Sequence, residues 1–180
     1  MTLTLRTLNL RWIQDAADDP RDLCAHGNVE FCIDGDELLG PENDRTLTVS
    51  AAALYLLRTL ALPHTRERPV GSHLFPCCGF AMFEVAGEQD VGICGCCNGE
   101  DFEVLHRVSG DGVVIRAADG REWQVKWPEW RTAVFEFADQ VSAFYAVGSP
   151  KEPEADDEAG FLKFASEWER RRGERLGIHR

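Results

Sequence analysis

The sequence holds no apolar run long enough to span a membrane. The longest, residues 51–62, is interrupted by Arg58 and Thr59, and it falls short of the ~20 residues that a spanning helix needs. Positive charge is also scarce: 19 Lys and Arg stand against 31 Asp and Glu, for a net charge of −12. A surface of that sign repels phosphate backbones and anionic lipid, so neither nucleic acid nor a membrane is expected as a partner. Recognisable catalytic signatures are missing as well. No Walker-type loop occurs and no G-x-G-x-x-G opens a helix, so nucleotide phosphates have no familiar cradle. H-E-x-x-H and G-x-S-x-G are absent, and the five histidines are scattered. The first residues, Met1-Thr2-Leu3-Thr4-Leu5-Arg6, lack a basic region followed by an apolar core. The expected location is therefore the cytoplasm, where thiols stay reduced.

What is present suits one domain. The chain has 180 residues, 44% of them hydrophobic, enough to build a core. Leu3 and Leu5 alternate, then Leu8, Leu10 and Trp12 do so after a phase slip. Such a slip moves the buried face and predicts a bulge near Arg6-Thr7. Residues 15–22 form a polar acidic loop. Val29, Phe31 and Ile33 alternate with polar neighbours and precede a turn at Asp34-Gly35-Asp36. A helix follows over 51–62, with Thr48 or Ser50 as its cap and Pro63 as its stop.

From Leu74 to Trp127 the pattern predicts a meander of short antiparallel strands. Turn signals fall at residues 86–90, Asn98-Gly99, Gly110 and Asp119-Gly120. Trp123, Val125 and Trp127 share one face, and Glu122, Gln124 and Lys126 the other. Pro128 suits a helix start, and Trp130, Val134, Phe137, Val141 and Phe144 recur at helical spacing. Residues 151–158 read as an acidic linker, and 159–175 as a last amphipathic helix ending in Arg170, Arg171, Arg172 and Arg175. Cations there suit the helix dipole; a small anion-binding patch is the alternative. The fold class expected is α+β. It has an antiparallel sheet of about five to seven strands, one helix after the N-terminal strands and two C-terminal helices packed on one sheet face.

Five of the seven cysteines lie between Cys77 and Cys97. Cys94 and Cys97 form a C-x-x-C, the spacing that lets two thiolates meet on one tetrahedral metal. A hairpin turning near Gly87 brings Cys77 and Cys78 opposite Cys96 and Cys97. Adjacent strand residues point to opposite faces, so Cys77 and Cys78 share a metal only if a kink intervenes. Pro76 and Gly79 are its possible sources. His73 is a further candidate ligand. The expected metal set is thus Cys77 or Cys78, Cys94, Cys97 and His73, forming one closed structural zinc site without catalytic function. Buried thiols packing as small hydrophobes and a cross-strand disulfide are the competing readings. The Pro-Cys-Cys-Gly and Cys-Cys-Asn-Gly elements resemble segments of bacterial proteins to which no activity is attached.

No residue is assigned a catalytic role. Charge, size and missing motifs together predict a non-enzymatic binding protein that docks a basic protein, by analogy with small inhibitor or immunity-type proteins. Two alternatives stand beside it. One is a zinc-stabilised structural module. The other is an enzyme with Cys77 or Cys78 as nucleophile and His73 or His106 as base.

Overall fold

The computed structural model describes residues 2–13, 18–40, 45–78 and 81–173. Its first strand, β1 (Leu3–Arg11), runs antiparallel to β2 (His26–Ile33). The bulge anticipated near Arg6-Thr7 lies further on, between Leu8 and Arg11. Asn9 takes φ 51° there, a left-handed conformation that asparagine tolerates better than most residues. Asp34 and Gly35 both have positive φ, as a type I′ turn requires, and they lead into β3 (Asp36–Leu39).

Helix α1 (Val49–Thr59) is buried along its whole length. A helix apolar on all sides belongs in a core. Neither expected cap operates: Thr48 makes no side-chain cap bond, and both hydroxyls are used in tertiary contacts instead. Thr48 Oγ1 donates to the Cys77 carbonyl at 3.4 Å, and Ser50 Oγ to the Ala25 carbonyl at 3.4 Å.

The expected meander is present as antiparallel strands, but it is divided among separate ladders. β4 (Phe75–Pro76) pairs with β7 (Gly99–Glu100), and β5 (Ala81–Glu84) with β6 (Val91–Cys94). β8 (Glu103–His106), β9 (Gly112–Arg116) and β10 (Glu122–Lys126) form a three-stranded sheet. Trp123 and Val125 point inward and Glu122, Gln124 and Lys126 outward, as the alternation predicts. Val108 leaves the sheet at the turn and is fully exposed. Phe31, Phe75, Phe102, Phe137 and Trp130 meet as an aromatic cluster in the core.

The two C-terminal helices cover different ladders. α2 (Trp127–Val147) packs on β1 and α1, while α3 (Ala155–Arg172) packs on β5 and β6. The acidic stretch expected as a linker partly belongs to α3, which begins at Ala155 rather than Ala159. Asp156, Asp157 and Glu158 occupy its first turn, where the helix dipole favours carboxylates. Gly173 closes it in the left-handed conformation. Arg170 and Arg171 pair with Asp90, and Arg172 with Asp139, so these three arginines are engaged within the chain. Arg175 lies outside the described residues. No helix among the described residues is long and apolar enough to cross a membrane.

Two opposite charges meet in the core. Arg58 of α1 meets Glu167 of α3 with two bonds, Nε–Oε1 at 2.8 Å and Nη2–Oε2 at 2.7 Å. Arg58 also donates to the carbonyls of Val70 and Val91, and Glu167 accepts from the Val91 amide. Removing one partner strands a buried charge. Glu167→Ala should therefore lose about 3–5 kcal/mol in urea denaturation, whereas Arg58→Met/Glu167→Leu should lose less than that single change. Gly160 offers a second check. A Cβ there would overlap the Met82 carbonyl, so backbone meets backbone where α3 crosses β5. Gly160→Ala should cost about 1–3 kcal/mol by the same measurement, although alanine is the better helix former by about 1 kcal/mol.

Candidate metal centre

β4/β7 and β5/β6 are two pieces of one hairpin. Phe75 pairs with Glu100, and Ala81, six positions on, pairs with Cys94, six positions back. The register is thus preserved, and between Pro76/Gly99 and Ala81/Cys94 none of the described residues, 77–78 and 95–98, belongs to a strand. The last bond before the gap is Cys77 N–H to the Asn98 carbonyl at 3.2 Å. The clustered cysteines occupy the gap and its edges.

Because Cys77 and Cys78 sit beyond the end of β4, strict alternation of side chains does not bind them. Their sulfurs lie 3.7 Å apart. The kink needed for both to reach one point is therefore present; Gly79, one proposed source of it, lies outside the described residues. The other strand contributes Cys96. Its N–H donates to Cys78 Sγ at 3.0 Å, and the Sγ atoms of Cys77, Cys78 and Cys96 all lie within 4.8 Å of one another. Such a group could hold a metal ion. From the other side, Thr48 N–H donates to the Pro76 carbonyl at 2.8 Å and Thr48 Oγ1 to that of Cys77. The start of α1 thereby positions the first thiols.

The three sulfurs share protons unequally. Hydrogen bonding to Cys96, then burial, then Cys78 push the Cys77 thiol up to about 12. Cys96 moves the other way, to about 7, because Cys77 and Cys78 donate to its thiolate. A metal needs thiolate ligands, so Cys96 is the more readily ionised of the perturbed pair while Cys77 must give up its proton on binding. No S–S bond joins any of the five clustered cysteines.

Of the five expected ligands, Cys77 and Cys78 belong to this group. His73, Cys94 and Cys97 instead line an adjoining cavity of about 620 Å³, which Cys96 also borders. Asp101 stands on the same cavity. His64 Nδ1 accepts from the Val70 amide, so its Nε2 carries the proton and donates to Asp101 at 2.9 Å. The Leu74 amide adds a second bond to the same oxygen. Burial alone would raise the Asp101 carboxyl, yet these bonds hold it below the ordinary range. His106 is held elsewhere, with Nε2 on the Thr59 carbonyl at 2.7 Å and its ring edge-on to Trp127. No hydrogen bond joins His73 or His106 to Cys77 or Cys78 among the described residues. Cys24 is buried, and its thiol is pushed up to about 12 by that burial first.

Cys96 is the member of this group that the expected metal set left out. The C-x-x-C template selects Cys94 and Cys97 and passes over Gly95 and Cys96 between them. The signal that points to Cys96 is the hairpin, which brings its segment to the Cys77-Cys78 pair. The observed register sets Asn98 and Cys97 across from Cys77 and Cys78, one residue off the expectation, and Cys96 reaches the pair where the ladder is broken. No protein-family model matches the chain, and no curated protein or solved structure does.

The proton sharing has a direct readout. In chelator-treated protein, iodoacetamide should label Cys96 with a half-maximal rate at about pH 7, against about 8.5 for an unperturbed cysteine. Cys24 should stay unlabelled in the folded state. Fragmentation mass spectrometry of the labelled peptides checks both.

Proposed function

We propose that this chain is a zinc-stabilised binding module, with one zinc ion on Cys77, Cys78 and Cys96. The convergence of three thiols in the gap of one hairpin carries this reading. The 3.7 Å between Cys77 Sγ and Cys78 Sγ is close to the edge of a tetrahedron with Zn–S bonds of 2.3 Å, about 3.8 Å. The bond from Cys96 N–H to Cys78 Sγ is the kind of contact that stabilises thiolate charge around a metal. Zinc at this point replaces hydrogen bonding that the interrupted ladder lacks.

The net charge of −12 favours a basic protein as the partner docked, because complementary charge speeds encounter and selects among partners. Internal ion pairs consume several carboxylates, such as Glu30, Asp90 and Asp139, but the excess over basic residues persists. A reducing compartment such as the cytoplasm suits the reading, since it keeps the thiols available.

Protein purified without added metal should contain close to one zinc per chain by elemental analysis. Chelation should loosen residues 77–98 selectively, seen as faster amide exchange there. Cys78→Ser should lower zinc content and reproduce that loosening. A zinc-free protein with unchanged exchange in this segment would overturn the proposal.

A further inference from the structure

A tetrahedral zinc needs four donors, and this hairpin brings three together. Among the described residues no fourth Cys, His, Asp or Glu joins the 4.8 Å group. Structural zinc sites are closed by four protein ligands, whereas sites that work on a ligand keep one position open. The cavity next to the group is bordered by one of its three cysteines, Cys96, and has a volume of about 620 Å³. That space exceeds the needs of a water and suits a small organic molecule.

The cavity wall also has a chemical bias. Arg66 lines it and offers a fixed positive charge and a planar set of donors suited to a carboxylate. Asp101, on the same wall, already accepts from His64 and Leu74, which offsets part of its repulsion toward an incoming anion. The metal itself prefers sulfur where three thiolates already surround it. A molecule with a thiol at one end and a carboxylate at the other satisfies both ends of the cavity.

We propose that the zinc on Cys77, Cys78 and Cys96 keeps its fourth position open toward this cavity and takes there the thiolate of a small thiol acid, whose carboxylate meets Arg66. This rests on the zinc reading above. The exchange balances simply. The incoming S–H bond breaks and its proton goes to solvent; a metal–sulfur bond forms and a bound water leaves. No oxidant or reductant takes part.

Cobalt(II) in place of zinc makes the ligand set visible, because the thiolate-to-cobalt charge-transfer band grows with the number of thiolates. Full-length protein is loaded with one cobalt, and mercaptoacetate is added as the probe. The expected starting spectrum is that of three thiolates. The probe should raise the band by about one third, the step from three sulfurs to four, and release one proton per site, with cobalt still on the protein after gel filtration. Cysteamine, which carries an amine where the probe has a carboxylate, should bind several-fold more weakly, and Arg66→Ala should abolish that difference. A band already at four thiolates and indifferent to mercaptoacetate overturns the open site while leaving zinc binding intact. Cys94→Ser or Cys97→Ser lowering that band would name the residue that closes it. A three-thiolate band that does not respond, with His73→Ala then making it responsive, assigns closure to His73 and overturns the proposal equally. Equal binding of the two probes removes the role of Arg66. Failure to bind cobalt at all sinks the zinc reading and this one with it.

Discussion

The buried pair of Arg58 and Glu167 is the constraint on which the arrangement turns. Each charge has left water, so each must find its full complement of partners inside the protein. Arg58 does so with one carboxylate and two backbone carbonyls. Glu167 does so with Arg58, Arg171 and the Val91 amide. These bonds fix α1, α3 and the first residue of β6 relative to one another. Val91 opens the strand that ends at Cys94, so the ion pair holds one arm of the cysteine hairpin. Thr48, at the other end of the same α1 helix, holds the opposite arm through Pro76 and Cys77. A single core helix thus positions both sides of the candidate metal centre.

Local chemistry made much of this legible in the sequence. The alternation through Glu122–Lys126, the turns at Gly87, Gly110 and Gly120 and the helical period of α2 each depend on neighbours within a few residues, and each is found where the pattern puts it. The turn expected at Asn98-Gly99 is not, because Gly99 pairs with Pro76 in β7. The register of the cysteine hairpin was legible to within one residue, because the loop near Gly87 sets the pairing on both sides, and the observed pairing puts Asn98 and Cys97 rather than Cys97 and Cys96 across from Cys77 and Cys78. Other features depend on partners far along the chain. Arg58 reads as an interruption of an apolar run, and only Glu167, 109 residues away, explains it. Thr48 and Ser50 look like caps, yet tertiary carbonyls take their hydroxyls. The acidic residues 156–158 resemble a linker by composition, while the helix dipole gives them a place inside α3. The candidate site divides in the same way. Cys77 and Cys78 were legible as a pair near the opposite strand. Cys96 was not selected, because a motif template weighs spacing along one strand and the site is built across two.

The same geometry explains why Cys77 and Cys78 act together. In a continuous strand they would face opposite sides of the sheet. The ladder instead stops at Pro76, a residue without an N–H to donate. The chain beyond it is held by Cys77 N–H to Asn98 and by Cys96 N–H to a sulfur rather than to a carbonyl. Losing regular backbone bonds lets neighbouring side chains converge, and the sulfurs then serve as acceptors in their place.

This also limits what a metal at that point contributes to stability. Metal binding becomes folding free energy only to the extent that its site is absent without it. Here both arms are already placed, one by Thr48 and the other by Val91, and the register is the same above and below the gap. The main core is centred elsewhere, around Phe31, Phe75, Phe102, Phe137 and Trp130, and of the three clustered thiols Cys77 alone packs against it. The metal proposed on Cys77, Cys78 and Cys96 would therefore order a segment rather than the domain. A site that the fold does not need for its own survival is free to keep a coordination position for something else, and that is the physical reason to look for function in the cavity beside Cys96.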